Sequence, residues 1–148
     1  MIKADLHTHT TASDGTYSPR DLIKLAAEQE NLKYVAITDH DTIFGIDDAI
    51  DEGNKNGIEV IPGIELSLDY PGVPGSIHLL GLFINHNSKS LPQYIEKLKN
   101  FRKERNIKMF QKLNKLGFDI SINDFPDINL LTLGRAHLAK KIVEKGYM

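Results

Sequence analysis

The chain has 148 residues, 41% hydrophobic and 26% charged, which fits one soluble globular domain, or a compact domain with an insertion. A formal charge of −2 leaves no broad basic footprint for long nucleic acid, although a small basic pocket is compatible with it, and the absence of cysteine excludes disulfides, thiolate metal sites and a cysteine nucleophile. No apolar run approaches the roughly 18 residues of a membrane span and no secretory signal opens the sequence, so the expected location is the cytoplasm.

Residues 2–6 read as a short apolar strand that runs into His7 and His9. Side chains alternate across a strand, so the two imidazoles share a face, about 7 Å apart along the backbone. Asp5 lies on that face and is expected to support them rather than to ligate. Asp14-Gly15 brings a carboxylate round to the same end. Ser18-Pro19-Arg20-Asp21 predicts a helix capped by serine with proline at its first position, and Leu22, Ile23, Leu25 and Ala26 form its apolar stripe. Residues 34–38 make a second strand, nearly continuous in apolar residues, as a parallel strand covered on both faces should be. Asp41-Thr42 predicts the cap of a helix through Ile43, Ile46 and Ile50 that ends near Gly53. Residues 58–61 form a third strand, ended or bent by Pro62-Gly63, and residues 77–84 a fourth. One long helix is expected over 91–116, a short one after Ser121-Ile122-Asn123-Asp124, and a last one from Thr132 or Gly134 to Glu144. Alternating strands and helices predict a parallel α/β sheet or barrel over residues 1–85, with an all-helical insertion or cover over 86–148.

In such folds ligands gather at the carboxyl ends of the strands. His7 and His9 end the first strand, Asp39 and His40 the second, and Glu65 follows the third. His78 sits near the start of the fourth strand, which therefore either runs antiparallel or crosses the mouth. His7, His9, Asp14, His40, Glu65 and His78 are the candidate metal ligands. Nitrogen and oxygen donors without sulfur suit Mn²⁺, Zn²⁺, Fe²⁺ or Mg²⁺, and a histidine-rich set leans away from Mg²⁺. Six donors exceed the needs of one tetrahedral ion, so two or more ions are expected, with a carboxylate such as Glu65 able to bridge a pair and activate a shared water. Asp39 is expected to orient an imidazole, and His86, between two asparagines, reads as an ordinary loop residue. Without this context Asp14 is a turn residue, Glu65 an exposed side chain and His78 a core histidine.

Asp5-Leu-His-Thr-His, Ser13-Asp14-Gly15, Thr38-Asp39-His40-Asp41, Gly63-Ile-Glu65 and His78-Leu-Leu-Gly81 resemble the first motifs of the PHP (polymerase and histidinol phosphatase) family. The resemblance implies a metal-dependent phosphoesterase built on a distorted (β/α)7 barrel, with two or three divalent ions, Mn²⁺ foremost and Zn²⁺ or Fe²⁺ as alternatives. It also implies that His7 and His9 bind one ion, that Glu65 bridges to a second held by His78, and that Asp14 and His40 hold a third. Phe101-Arg102-Lys103-Glu104-Arg105-Asn106 and Gly134-Arg135-Ala136-His137 resemble the helical insertion of the nucleoside 3′,5′-bisphosphate phosphatase and 5′-to-3′ oligoribonuclease branch. There basic residues meet substrate phosphates, which implies that role for Arg102, Arg105, Arg135 and His137. The guanidinium fork matches phosphate oxygens two at a time, and Arg102 and Arg105, three apart, share a helical face.

Complete members carry further ligand motifs, a histidine in an Ala-His-Pro segment and an Asp-x-His pair, that this sequence lacks. The expected fold is therefore a partial (β/α)7 barrel of the α/β class with a helical insertion, completed by a missing C-terminal half or by a second chain. The expected activity is hydrolysis of a small phosphorylated metabolite, a nucleoside 3′,5′-bisphosphate or the 5′ end of a short oligonucleotide. A histidinol-phosphate-type phosphatase and a non-catalytic metal- and phosphate-binding module are the alternatives.

Overall fold

The computed structural model describes residues 1–68, 77–126, 128, 130–131 and 133–147. Along them run β1 (Lys3–Thr8), α1 (Pro19–Ala27), β2 (Leu32–Ile37), α2 (Ile46–Asn56), β3 (Glu59–Leu68), β4 (Ile77–Leu82), α3 (Leu91–Lys115), a 3₁₀ turn (Ile122–Asp124) and α4 (Arg135–Glu144). The strands form one sheet in the order β1-β2-β3-β4. β1, β2 and β3 are parallel, and β4 runs antiparallel to β3. The fold is the α/β half-barrel expected, and β4 takes the antiparallel of its two anticipated courses.

Local sequence explains the helix starts unequally. The Ser18 side chain accepts the Asp21 N–H at 3.1 Å, so α1 begins where the serine-proline pair places it. Ile23 and Ala26 enter the core, but Leu25, at 36% exposure, falls outside the stripe assigned to it. α2 begins five residues after Asp41, with Gly45 at its N-cap, and ends at Gly57 rather than near Gly53. Asp41 is therefore not its cap. Its φ of +54° turns the chain out of a helical path.

Pro62-Gly63 does not end β3 either. Residues Glu59 to Pro62 pair with β2, and Gly63 to Leu68 pair with β4, so the strand changes partner at this dipeptide. Gly63 is required at the crossing: a Cβ there would lie 2.8 Å from Thr38 Cγ2 and 2.9 Å from the Ile37 carbonyl. β4 stops before Phe83, which has a φ of +55°.

The main core lies between α1, α2 and the sheet and contains Ile23, Ala26, Val35, Ile37, Ile46, Ala49 and Ile58. β2 is covered on both faces, with Val35, Ala36 and Ile37 at 1% exposure or less. β1 is not: Lys3 to His7 are exposed, and among the described residues its one strand partner is β2. An apolar run of this kind does not distinguish an edge strand from a buried one. A second core, Ile120, Phe125, Leu133 and Leu138, joins α3 to α4 and the segment between them. α4 starts after Gly134; Thr132, the other expected start, lies outside the described residues.

Candidate metal centre and anion pocket

β1 extends through Thr8 because its end is bonded sideways to β2. Thr8 N–H donates to Thr38 Oγ1 (3.1 Å), Thr38 N–H donates to the Thr8 carbonyl (3.0 Å), and the Thr8 hydroxyl donates to the Ala36 carbonyl (2.6 Å). His7 is thereby fixed on the strand and His9 one step beyond it. Asp39, 1% exposed, then holds the following turn: it accepts Thr10 N–H (2.7 Å), Thr10 Oγ1–H (2.7 Å) and Ser13 Oγ–H (2.6 Å). Its expected bond to an imidazole is absent among the described residues, because both carboxylate oxygens serve this turn. Ser13 Oγ in turn lies 3.4 Å from His9 Nδ1. Gly15 closes the turn where no side chain fits, since a Cβ would lie 2.2 Å from the His9 carbonyl. Asp14 is carried to the mouth by this folding. Asp5 stays exposed and accepts the His7 N–H at 3.3 Å.

Beyond β2 the ladder continues as a single bridge between His40 and Glu65. Glu65 N–H donates to the Asp39 carbonyl (3.2 Å), and Asp41 N–H donates to the Glu65 carbonyl (3.0 Å). Antiparallel pairing places His78 opposite Ser67, two residues from Glu65 and so on the same face of the sheet. Each of these residues is held by sheet hydrogen bonds, so the side chains converge without long loops.

The six sequence-predicted donors all meet. Glu65, 3% exposed, is the centre: its Oε2 lies 3.1 Å from His7 Nε2, 3.0 Å from His9 Nε2 and 3.4 Å from His40 Nδ1, and its Oε1 lies 2.6 Å from His78 Nδ1. Asp14 reaches His9 Nδ1 at 3.6 Å and His40 Nε2 at 3.7 Å. Three overlapping groups result, His7–His9–Glu65, His9–Asp14–His40 and His40–Glu65–His78, each with donor atoms within 4.8 Å of one another. His86 lies apart, 3.2 Å from Asp47 Oδ1, as a loop histidine should.

The electrostatics are those of a compact cluster. Burial pushes the Glu65 carboxyl up, but the bond from His7, the charge of His40 and the bond from His78 outweigh it and hold it below its ordinary value. Burial drives the His40 imidazole below its ordinary range, aided by Arg102 and His9 against the pull of Asp14 and Glu65.

Beside the cluster opens a cavity of about 940 Å³ between α3, α4 and the end of β3. Phe101, Met109, Leu113 and Leu138 give it apolar walls, and Arg102, Arg105 and Arg135 line it with charge. Arg102 is buried, not solvated: it is 4% exposed, its Nη1 donates to Asp41 Oδ2 at 3.1 Å, and its buried Nε has no partner. Arg105 reaches Asn106 Oδ1 from Nε (3.4 Å) and Nη2 (3.3 Å). Burial and the charges of Arg102 and Arg135 push its guanidinium below its ordinary value. His137 Nδ1 accepts the Gly134 N–H at 3.0 Å, which assigns the ring proton of the neutral form to Nε2. Its imidazole too is lowered, by burial and by Arg102 and Lys140, with Asp14 opposing. Asp41 is the site residue that sequence reading missed. Its signal was present, an aspartate directly after a donor histidine, but its partner Arg102 lies 61 positions away.

An α/β sheet with a histidine–carboxylate cluster at its mouth defines a protein whose donor groups could hold divalent metal ions. The family model of the PHP domain matches residues 5–116, and the chain belongs to that family. A 5′-3′ exoribonuclease of Haemophilus influenzae is 35% identical over 144 residues, 97% of this chain and 52% of its own length. A 3′,5′-nucleoside bisphosphate phosphatase of Chromobacterium violaceum is 29% identical over 152 residues, 99% of this chain and 51% of its own. The solved structure of an amidohydrolase from Chromobacterium violaceum, with bound sulfate and no metal, matches with a TM-score of 0.85 at 27% identity, covering 98% of this chain and 51% of that one. The chain therefore spans about half the length of these relatives.

Proposed function

We propose that this chain carries the metal- and phosphate-binding half of a phosphoesterase site that acts on a nucleoside 3′,5′-bisphosphate or on the 5′ end of a short oligonucleotide. One observation carries the reading: three overlapping donor groups adjoin a cavity lined by three arginines. The donor set fits divalent cations. His7 Nε2 and His9 Nε2 face each other at 3.1 Å around a single Glu65 oxygen, an arrangement of lone pairs that a cation satisfies better than one shared proton does. By these groupings His7, His9 and Glu65 would hold one ion, Glu65, His40 and His78 a second, and His9, Asp14 and His40 a third; Mn²⁺, Zn²⁺ and Fe²⁺ suit such donors. When bound, such ions lower the pKa of water and neutralise charge developing on a phosphoryl group.

The remaining work falls to the chain's own residues. Arg102, Arg105 and Arg135 supply fixed donors to phosphate oxygens, and three guanidiniums suit a substrate with more than one phosphate better than a histidinol-phosphate-type monoester. His137, two residues from Arg135 and with its Nδ1 taken by the Gly134 N–H, has its Nε2–H left to donate, and the apolar walls give room for a nucleoside. The relatives named above act on such substrates by name, and one neighbour holds sulfate, a tetrahedral anion like phosphate. Closure of the barrel by a further polypeptide segment belongs to this reading, because β1 is exposed and among the described residues its one strand partner is β2. A metal- and phosphate-binding module without turnover is the alternative that the test separates from it.

The test is phosphate release from adenosine 3′,5′-bisphosphate and nucleotide release from a 5′-phosphorylated oligoribonucleotide, both with Mn²⁺ added. Metal content is measured in parallel, with a His7→Ala/His9→Ala variant as control. Metal and phosphate binding without release would favour the module. Equal metal content in protein and variant would sink both readings.

A further inference from the structure

We propose that Asp41 is a positioning residue: its carboxylate sets the Arg102 guanidinium beside the donor cluster and so fixes the helical cover to the end of the sheet. The inference rests on the reading above that Arg102 receives a phosphate oxygen.

Asp41 directly follows the donor His40 and has a φ of +54°, a conformation that aspartate and asparagine tolerate better than most residues. All its polar groups are engaged although it is 3% exposed. The backbone N–H donates to the Glu65 carbonyl (3.0 Å), Oδ1 accepts the Ser67 N–H (2.8 Å), and Oδ2 accepts Arg102 Nη1–H (3.1 Å). One residue therefore braces His40 and Glu65 from the sheet side while holding an arginine of α3.

A purely structural ion pair would look different on the arginine side. A guanidinium has five N–H donors, and a pair kept for packing should have its buried donors met, since unmet ones are costly. Arg102 has one hydrogen bond among the described residues, and its buried Nε is unpartnered. The charge is held in place while donors beside the cavity stay open, which is the state an anion completes. Arg105 and Arg135 line the same cavity, and the cation Asp41 neutralises, Arg102, is the one that repels Arg105 most strongly. Asp41 thus lowers the repulsion among three guanidiniums that share one pocket while leaving donors of Arg102 unmet.

The experiment measures the affinity of the Mn²⁺-loaded full chain for inorganic phosphate by calorimetry, in the protein and in Asp41→Asn, Arg102→Gln and the double variant. Asparagine keeps the Oδ1 acceptor and suits the positive φ. The expected result is about tenfold weaker phosphate binding in each single variant and no further loss in the double, the non-additivity of two residues acting as one unit. Asp41→Asn that lowers the unfolding temperature but leaves phosphate affinity intact overturns the proposal, as do losses that add. If Asp41→Asn does not fold, Asp41→Gly, which also accepts positive φ, enters the same cycle. A readout on the unmutated chain needs no variant at position 41: the Arg102 Nε–H resonance should shift on adding phosphate, and a resonance that stays put overturns the proposal. Absence of any phosphate binding by the unmutated chain would instead sink the phosphoesterase reading itself.

Discussion

Replacing Asn106 by alanine should destabilise the chain by about 2–4 kcal/mol. Asn106 is fully buried on α3, and its Nδ2 donates to the Leu130 carbonyl at 2.7 Å and to the Leu133 carbonyl at 2.9 Å. These two bonds fasten the segment that leads through Gly134 into α4, and hence the placement of Arg135 and His137. Leu133 is fully buried, so its carbonyl would lose a donor that water does not replace, a loss of about 1–3 kcal/mol. Leu130 is half-buried, and its bond contributes the smaller net value of about 0.5–1.5 kcal/mol. For a chain of this size the sum corresponds to about 5–15 °C in unfolding temperature and to about 1–2 M in urea midpoint. Urea unfolding followed by circular dichroism provides the assay. Asn106→Asp sharpens it, because aspartate keeps the volume but turns an acceptor toward both carbonyls, and it should cost at least as much as alanine. A shift in midpoint below about 0.3 M for alanine, or a stable aspartate variant, would refute the argument that these donors hold the segment.

Three further expectations follow from the cluster. Mn²⁺ at about a hundred times its dissociation constant should stabilise the fold by about 2.7 kcal/mol, read as a rise in unfolding temperature that a chelator reverses and that His7→Ala/His9→Ala lacks; an equal rise in that variant would place the ions elsewhere. Glu65→Gln removes the one charge on which four imidazoles converge and should weaken ion uptake by about tenfold or more, measured by titration with metal analysis; unchanged uptake would remove Glu65 from the ligand set. In metal-free protein the imidazoles of His40 and His137 are lowered from 6.5 in the fold, so between their folded values and 6.5 the unfolded chain binds more protons. Stability is then fully present above pH 6.5 and declines as pH falls through that window, and the urea midpoint should drop from pH 7 to pH 5, less so in His40→Asn. A flat profile contradicts the sign.

The parts of the site that sequence reveals are those set by short-range geometry. His7 and His9 share a strand face by alternation, and the Asp14-Gly15 turn and His40 follow from where strands end; Glu65, expected after the third strand, lies within β3, in its pairing with β4. The misjudged parts depend on distant partners. Pro62-Gly63 looks like a stop because proline and glycine end strands locally, yet here they mark the exchange of β2 for β4 as neighbour. Asp41-Thr42 looks like a helix cap because the same short polar side chains serve both purposes, and what decides is Arg102, 61 positions on. α3 is rich in charge and mostly exposed, but Arg102 and Asn106 are buried, Arg102 held through one donor by Asp41 and Asn106 through its amide by Leu130 and Leu133. Burial of polar residues on a polar helix leaves no periodic trace. The exposure of β1 is invisible for the complementary reason: an apolar strand has one pattern whether or not a neighbour is present to cover it.

The lowered carboxyl of Glu65 leads to the last prediction. Burial alone would favour the protonated acid, so the carboxylate is kept charged by what surrounds it, namely the bond from His7, the charge of His40 and the bond from His78. Without a cation, the ring nitrogens that hydrogen-bond Glu65, His7 Nε2 at 3.1 Å and His78 Nδ1 at 2.6 Å, do so as donors, carrying a proton between the two atoms. To ligate a cation the same nitrogen must present its lone pair, so that proton has to leave or move to the far side of the ring. Ion uptake should therefore release protons. Calorimetric titration with Mn²⁺ in two buffers of different ionisation enthalpy counts them directly. A heat of binding independent of buffer at pH 6 would mean that the nitrogens around Glu65 give up nothing when the ion arrives, and that the ion does not sit among them.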